Sequence, residues 1–264
     1  MKTTDNPVVF KTIQIEETYP TDKNQLELTC NLRISFTFPD SSQNEQLTEA
    51  IQAIFIEKMY GNSFKSLSPQ KATESYKQQY IEAFRQFRSI IHDENDEHAH
   101  EIENEYEAEN NYAYYTWLKN SVIFNQSNFI SFSVESLVYE GGAHRSQNIK
   151  NINGYVINLK TGQLLQEENF AGISYKNSVS KILAQKIAED NGLASLNDLE
   201  NLGYNPAEEI IPNNNFTIDS KGITYYFNEN EIAGTMVGST QVFIPYKEIN
   251  IYMKKDSPIS LLSE

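Results

Sequence analysis

One stretch of the sequence, residues 25–38, constrains the fold more than any other. Apolar side chains occupy every second position in it, and Glu27, Asn31 and Arg33 lie among the residues between them. The alternating apolar residues are Leu26, Leu28, Cys30, Leu32, Ile34, Phe36 and Phe38. Because successive side chains of a strand point to opposite faces, this pattern predicts a long strand with one buried face. The polar positions between them indicate a sheet that shows its other side to water.

Two helices are predicted after this strand. Ser42 and Glu45 have the spacing of a capping box, and the apolar residues of 47–55 follow at helical spacing. A second helix is predicted to begin at Ser68-Pro69, because proline is favoured in the first turn of a helix. Its inward stripe consists of Tyr76, Tyr80, Ala83, Phe84, Phe87 and Ile91. An aromatic stripe at this spacing is typical of a hydrophobic core rather than of a cofactor site.

Further strands are predicted beyond the two helices. Residues 112–126 and 129–139 are predicted to form an antiparallel hairpin around a turn at 125–128. The next strand, 148–158, is expected to be interrupted at its Asn-Gly pair. One more helix and three more strands complete the pattern towards the C-terminus.

Helices therefore come in blocks between blocks of strands. This arrangement predicts an α+β fold, with mostly antiparallel sheets and helices packed on one face, rather than a doubly wound α/β fold. We expect two interlocked subdomains, an N-terminal α+β subdomain at residues 8–138 and a C-terminal α+β subdomain at residues 139–256.

The charge of the chain is one-sided. It has 36 acidic and 21 basic residues and a net charge of −15. This balance disfavours nucleic acid as a ligand, because phosphate binding needs clustered Lys and Arg, and it disfavours an anionic membrane surface. A basic protein partner or a cation remains open.

The single cysteine, Cys30, excludes an intramolecular disulfide and is expected to be a small buried hydrophobe. The sequence has no apolar run of about 18 residues, so it predicts no membrane-spanning helix.

The most polar part of the chain is the acidic stretch, residues 92–109. It holds nine acids and three of the four histidines. A cation site is one hypothesis for this stretch, with candidate ligands Asp93, Asp96, Glu97, His98 and His100. An EF-hand is excluded, because His98 stands where glycine is needed and Asn104 where glutamate is needed. We favour a solvated acidic segment or a helix extension, and we predict no metal site and no cofactor.

Sequence motifs of common enzymes are missing. The chain has no Gly-x-Ser-x-Gly elbow, no Gly-x-x-x-x-Gly-Lys-Ser/Thr loop, no Gly-x-Gly-x-x-Gly turn and no His-Glu-x-x-His. A carboxylate pair for glycoside cleavage stays open, because a sequence with 36 acids offers many pairs and places none of them in space. We therefore predict a protein that is not an enzyme and has no catalytic residues.

The stretch Tyr139-Glu140-Gly141-Gly142-Ala143-His144 is the strongest marker in the sequence. Two adjacent glycines indicate backbone angles or a close approach that a side chain would forbid. The imidazole of His144 could act in catalysis only with a nucleophile and an orienting acid. We favour a histidine that hydrogen-bonds the backbone of the glycine turn. The candidate ligand-binding residues are Tyr139, Gly141, Gly142 and His144.

This marker resembles that of an extracytoplasmic bacterial domain of unknown function. Further similarity lies at residues 158–165, 216–227 and 242–249, and the N-terminal half resembles the domain that commonly precedes it. This domain pair occurs in the anti-sigma factor RsiV, whose extracellular part binds lysozyme, and ahead of the catalytic domain of the peptidoglycan deacetylase PdaC. The resemblance implies a PdaC N-terminal-like subdomain followed by an RsiV C-terminal-like subdomain.

The resemblance also implies a place in the cell and a function. We expect an exported protein of the periplasm or cell surface, lipid-anchored or not, whose leader is absent from this chain. We expect a non-catalytic binding module of the bacterial cell envelope, with a basic protein such as a lysozyme as the concrete partner. One alternative is a cell-wall glycan-binding protein or glycan-acting enzyme that uses Tyr114, Tyr115 and Trp117. Another alternative is a cation-binding protein that uses the acidic stretch.

Overall fold

The structure, a computed structural model, describes residues 6–19, 30–98, 114–140 and 149–262. Its strands are β1 (Val9–Tyr19), β2 (Cys30–Ser41), β3 (Tyr114–Gln126), β4 (Phe129–Glu140), β5 (Ile149–Asn158), β6 (Gln163–Leu164), β7 (Phe216–Ile218), β8 (Gly222–Phe227) and β9 (Thr240–Pro245). Its α-helices are α1 (Glu45–Tyr60), α2 (Pro69–His98), α3 (Glu167–Phe170), α4 (Tyr175–Asp190) and α5 (Tyr246–Ile249). Short 3-10 turns follow α1, α4 and α5 and precede β7.

The strands form two sheets. The large sheet has six strands in the order β1-β2-β3-β4-β5-β6, and the small sheet has three in the order β7-β8-β9. Every adjacent pair is antiparallel except β2 and β3, which run parallel. This parallel pair follows from the two helices between β2 and β3, because a parallel connection needs a crossover. The predicted α+β class is confirmed.

One face of the large sheet packs against α1 and α2. The inward residues of β2 predicted from the sequence are buried where the structure describes them, from Cys30 to Phe38. The ring of Phe55 in α1 stacks on Phe132 in β4, with ring centroids 4.0 Å apart. Burial raises the pKa of the Cys30 thiol to about 11, so this residue is a protonated thiol of the core at neutral pH.

Two details of the helices differ from the sequence prediction. The N-cap of α1 is Asn44, whose Oδ1 accepts a hydrogen bond of 2.8 Å from the Leu47 amide, so the predicted capping box at Ser42 is wrong. The Ser42 hydroxyl instead donates to the carbonyl of Asn44. In α2, Tyr80 and Phe84 are buried as predicted, but Ala83 is exposed and Ile81 is buried in its place.

The predicted hairpin is present as β3 and β4. Its turn consists of Ser127 and Asn128 alone, with φ of 54° and 66°. Positive φ at both central residues is the geometry of a two-residue turn that matches the twist of the flanking strands. Asn125 and Gln126, which the sequence assigned to the turn, are the last residues of β3.

Strand β5 is continuous, so the predicted break at Asn153-Gly154 is wrong. A Cβ on Gly154 would lie 2.5 Å from the carbonyl carbon of Phe216, and the glycine therefore permits the close approach of β7 to β5. The Gly154 amide donates to the side-chain oxygen of Asn215, at 2.7 Å, and the Ile152 amide donates to that of Asn228, also at 2.7 Å. These asparagine side chains accept hydrogen bonds from the part of β5 that does not pair with β6.

A second core lies between the small sheet, α4 and the far face of the large sheet. It includes Phe129 of β4 and Val156 of β5 as well as residues of α4 and β7–β9. The neighbouring residue Ile157 belongs to the core beneath α1 and α2. Strand β5 therefore contributes to both cores. The division of the chain near residue 138 stays a prediction, and the strands on its two sides pair in one sheet.

Candidate functional site: an exposed aromatic surface

The side chains of β3 alternate between the two faces of the large sheet. Tyr114 points inward, is 5 % exposed, and contacts the rings of Tyr80 and Phe84. Tyr115 and Trp117 point to the opposite face, and 43 % of Trp117 is exposed. Of the three aromatic residues proposed from the sequence for glycan contact, Tyr114 therefore belongs to the core and the other two lie at the surface.

Three aromatic rings form a row on this outer face. The rings of Tyr115 and Trp117 are 5.6 Å apart with an interplanar angle of 33°. Tyr139 of β4 is directly opposite Tyr115 in the sheet, and these two rings are 5.3 Å apart and within 13° of parallel. Burial raises the pKa of the Tyr115 hydroxyl, and the neighbouring Tyr139 adds to the shift. We call Arg33, Tyr115, Trp117 and Tyr139 the aromatic surface.

Arg33 holds the exposed indole in place. It is the residue of β2 directly opposite Trp117, and its guanidinium carbon lies 5.0 Å from the ring centroid, within cation–π distance. The other end of the guanidinium forms an ion pair of 2.8 Å with Glu16 of β1. In the unbound protein, Trp117 therefore contacts both the cation of Arg33 and the ring of Tyr115.

The charges around the aromatic surface are of both signs. Glu16 and Arg33 pair directly, and Lys119 of β3 stands opposite Glu135 of β4 on the same face. Lys150 of β5 is exposed and stands opposite Leu137 on this face, so there are two acidic and three basic side chains. The net charge of −15 is therefore not concentrated on this part of the sheet.

Among the described residues, the C-terminal half covers one end of this sheet face. The Ile218 amide of β7 donates a hydrogen bond of 2.9 Å to the buried hydroxyl of Ser131 in β4. Towards the other end of β4, residues 135–139 are half-buried, and Tyr139 is the last of them. The aromatic surface lies at this end, where the described residues leave the side chains partly exposed.

The structure describes one of the four candidate ligand-binding residues. Tyr139 is part of the aromatic surface. Gly141, Gly142 and His144 lie outside the described residues, and their role stays a prediction. The contribution of Arg33 was missed by the sequence analysis. Its position opposite an exposed tryptophan depends on the parallel pairing of β2 with β3, for which the sequence has no local signal.

The metal-site hypothesis falls mostly outside what the structure describes. Helix α2 continues to His98, so the start of the acidic stretch is a helix extension, as one interpretation predicted. The side chains of its candidate ligands are not among those described. Among the described side chains, no group of three or more His, Cys, Asp or Glu residues could hold a metal ion.

A buried polar cluster in the second core includes one acidic group. The hydroxyls of Tyr175 and Tyr225 are 2.9 Å apart, and the Asn214 amide donates a hydrogen bond of 3.1 Å to the carboxylate of Glu167. Burial raises the pKa of Glu167, although the hydrogen bonds from Asn214 and Tyr225 oppose the shift. No second carboxylate is among the described groups that act on Glu167. This geometry fits a structural network better than the carboxylate pair of a glycosidase.

Family models match both halves of the chain. Residues 29–147 match the model described as Deacetylase PdaC, and residues 164–247 match the model described as Protein of unknown function (DUF3298). The chain is PdaC-like and DUF3298-like. This confirms the predicted resemblance, and all four residues of the aromatic surface lie in the PdaC-like segment. No curated protein matches the chain.

Solved structures share the fold along nearly the whole chain. A member of the DUF3298 family from Bacteroides fragilis NCTC 9343 has a TM-score of 0.85 and 23% sequence identity, over 99% of both chains. A DUF3298 family protein from Pseudomonas aeruginosa PAO1 has a TM-score of 0.61 and 13% identity, over 95% of this chain and 96% of the other. At these identities the similarity establishes the fold alone.

The PdaC-like segment indicates an extracellular domain of the cell envelope, with a function that is unknown. Across the described ranges, no helix combines the length and the apolar character needed to cross a membrane.

Proposed function

We propose that this chain is a non-catalytic binding module of the bacterial cell envelope and that the aromatic surface is its ligand-contact surface. The observation that carries the proposal is the exposure of Trp117, 43 % of which faces solvent although its ring contacts both Arg33 and Tyr115. A single exposed apolar residue needs no explanation, but a row of aromatic rings on an open sheet face is typical of a contact site.

The composition of the aromatic surface supports this proposal. Tryptophan, tyrosine and arginine are the residue types most enriched where binding energy concentrates. Aromatic side chains present a large area with few rotatable bonds, so little conformational entropy is lost on binding. The contact between Arg33 and Trp117 further limits the conformations of both side chains in the unbound protein.

Two classes of partner are open for this surface. A basic protein such as a lysozyme fits the net charge of −15, because opposite net charge accelerates encounter. A cell-wall glycan fits the aromatic rings. Binding driven by net charge weakens as salt is added, whereas ring stacking changes little, so salt dependence separates the two.

The absence of catalysis is part of the proposal. It is supported by the lack of enzyme motifs in the sequence and by the single carboxylate of the Glu167 cluster. Incubation of the chain with solubilised peptidoglycan should release no acetate and no new reducing ends. Release of either product in proportion to the amount of protein would contradict this part of the proposal.

The contact surface is tested by comparing Trp117→Ala with Ile123→Ala. Ile123 lies on the same strand and is also 43 % exposed, so the two variants remove equally exposed apolar side chains. Each is titrated calorimetrically with a basic lysozyme and with solubilised peptidoglycan fragments, at low and moderate salt. Binding that Trp117→Ala weakens and Ile123→Ala leaves unchanged supports the proposal. No binding of either ligand, or equal loss in both variants, would overturn it.

A further inference from the structure

We infer that the outer edge of β1 binds a second copy of this chain, so that two large sheets join into one continuous antiparallel sheet. This inference goes beyond the proposed function and does not depend on the aromatic surface or its ligand. It is carried by the length of the edge, by the order of residues along it and by the position of its charges.

Strand β1 is a long edge of the large sheet. It pairs with β2 on one side along all of its 11 residues, and no described strand pairs with its other side. The outward N–H and C=O groups of such a strand are a template for another strand. At the opposite edge of the sheet, β6 pairs with part of β5, and the side chains of Asn215 and Asn228 bond to more of it.

The helix-side face of β1 carries two isoleucines between two charged residues. Lys11, Ile13, Ile15 and Glu17 stand directly opposite buried residues of β2 and therefore share their face. Ile13 and Ile15 pack against the core beneath α1 and α2, but they remain only half-buried. A second strand along this edge would cover the sides of both isoleucines that still face solvent.

The sequence of β1 favours one register with its own copy. Residues opposite each other in an antiparallel pair point to the same face, so the two-fold axis must pass through a residue. With the axis at Gln14, which has five residues of β1 on either side, the whole strand pairs. Ile13 then stands opposite Ile15 of the second copy, and Lys11 stands opposite Glu17 of the second copy. An axis at Ile13 or at Ile15 would instead set one of these charges opposite an isoleucine.

The charges on this edge point to a second copy rather than to an unrelated strand. Inward-facing charges commonly protect an edge strand from pairing, but in this register each meets its opposite. Lys11 already forms an ion pair of 3.0 Å with Asp40, and Glu17 forms one of 3.3 Å with Lys77 of α2. Across the axis these four charges would alternate in sign. The edge is therefore complementary to itself.

The helices and the net charge allow two copies to lie side by side. Helices α1 and α2 pack mainly on β2, and the two copies of β2 would be three strand spacings, or about 14 Å, apart. Packed helices need about 8–10 Å between their axes. The net charges of −15 repel each other, but salt at physiological strength screens this repulsion within about 8 Å. Because a strand edge is a small interface, we expect a reversible dimer.

The inference is tested by sedimentation velocity at moderate salt and rising protein concentration. We expect the mass of the natural chain to rise from 30.3 kDa towards twice that value. Lys11→Glu and Glu17→Lys each place like charges opposite each other at two symmetric positions. Each variant alone should therefore dimerise about tenfold more weakly than the natural chain. Circular dichroism checks that both variants are folded.

An equal mixture of the two variants provides the sharpest test. In a mixed pair the two substituted positions face each other, and so do the two natural ones, which restores opposite charges at both places. Dimerisation should recover in the mixture, although each copy has lost one of its own ion pairs. Lys181→Glu makes the same change of net charge at an exposed position of α4, and it should dimerise as the natural chain does.

Three results would contradict the inference. One is a natural chain that stays monomeric up to about 1 mM. Another is equal dimerisation of the natural chain and both single variants, and the third is a mixture that associates no better than either variant alone. All three concern the edge of β1, so they leave the contact surface of the proposed function standing.

Discussion

The carboxyl group of Glu167 shows how a single residue can link the fold to pH. It begins α3 at the edge of the second core, where its carboxylate accepts from the Asn214 amide, and the Glu167 amide donates to the Asn214 side chain at 2.8 Å. Burial raises its pKa, so the folded state binds the proton more tightly than the unfolded state does. The resulting stabilisation is complete below the ordinary glutamate pKa of about 4.3 and is lost as the pH rises through the raised value.

Glu167→Gln should therefore flatten the pH dependence of stability. Glutamine keeps an oxygen that can accept from Asn214, and it avoids burial of a negative charge at neutral pH. We expect the melting temperature of the variant to exceed that of the natural chain by a few degrees at about pH 8, with the difference vanishing near pH 4. Thermal melts followed by circular dichroism across this range measure it.

The neighbouring residue provides the control for this experiment. Glu168→Gln makes the same chemical change at an exposed position of the same helix. It should leave the slope of melting temperature against pH unchanged. If both variants shift the slope equally, the effect arises from net charge, and the burial of Glu167 is not its cause.

Part of the candidate site could be predicted from individual residues. Alternation along 112–126 shows that Tyr115 and Trp117 share a face, and the hairpin register brings a residue of 129–139 beside them. The cation–π contact with Arg33 could not be predicted, because it joins strands more than 80 residues apart through a parallel pairing. Likewise, Glu167 is one of 36 acids, and only the tertiary fold distinguishes it from the rest.

For secondary-structure elements, the sequence predicts the structure correctly where residues close together in the chain determine it. The period-two pattern of β2 fixes its buried face, and Asn128 is a residue type that tolerates the positive φ of a two-residue turn. The predicted break in β5 is wrong because an element distant in the sequence packs against that strand. An Asn-Gly pair reads as a turn, but in β5 the Gly154 amide bonds to Asn215, and the backbone of β7 occupies the space of a missing side chain.

The junction of β5 and β7 predicts a strong effect for Gly154→Ala. The added Cβ would lie 2.5 Å from the carbonyl carbon and 2.6 Å from the carbonyl oxygen of Phe216, and these are backbone atoms that cannot rotate away. Overpacking of this kind costs about 1–3 kcal/mol. Urea unfolding of the variant should show a lower midpoint with an unchanged slope.

Gly234→Ala is the matched control, because a Cβ at Gly234 would meet no atom within 4 Å. It should leave the midpoint within experimental error of the natural chain. A Gly154→Ala variant as stable as this control would mean that β7 does not pack against β5 as closely as the structure shows.

For the whole molecule, the central question is whether its two cores unfold together. Strand β5 contributes Val156 to one core and Ile157 to the other, and Ser131 of β4 is bonded to β7. Elements that share strands and buried hydrogen bonds are expected to lose their structure in one transition. The alternative is that the subdomains predicted at residues 8–138 and 139–256 unfold separately.

Leu183→Ala distinguishes these alternatives through Trp117. Leu183 is fully buried in the second core, and Trp117 reports from the large sheet. Deletion of a buried leucine side chain costs about 2–5 kcal/mol. If the two cores unfold together, the urea midpoint measured by Trp117 emission should fall as far as the midpoint measured by circular dichroism. Ile173→Ala, at a fully exposed position, should leave it unchanged. A Trp117 transition that stays in place while circular dichroism shows an earlier step would establish two independent domains.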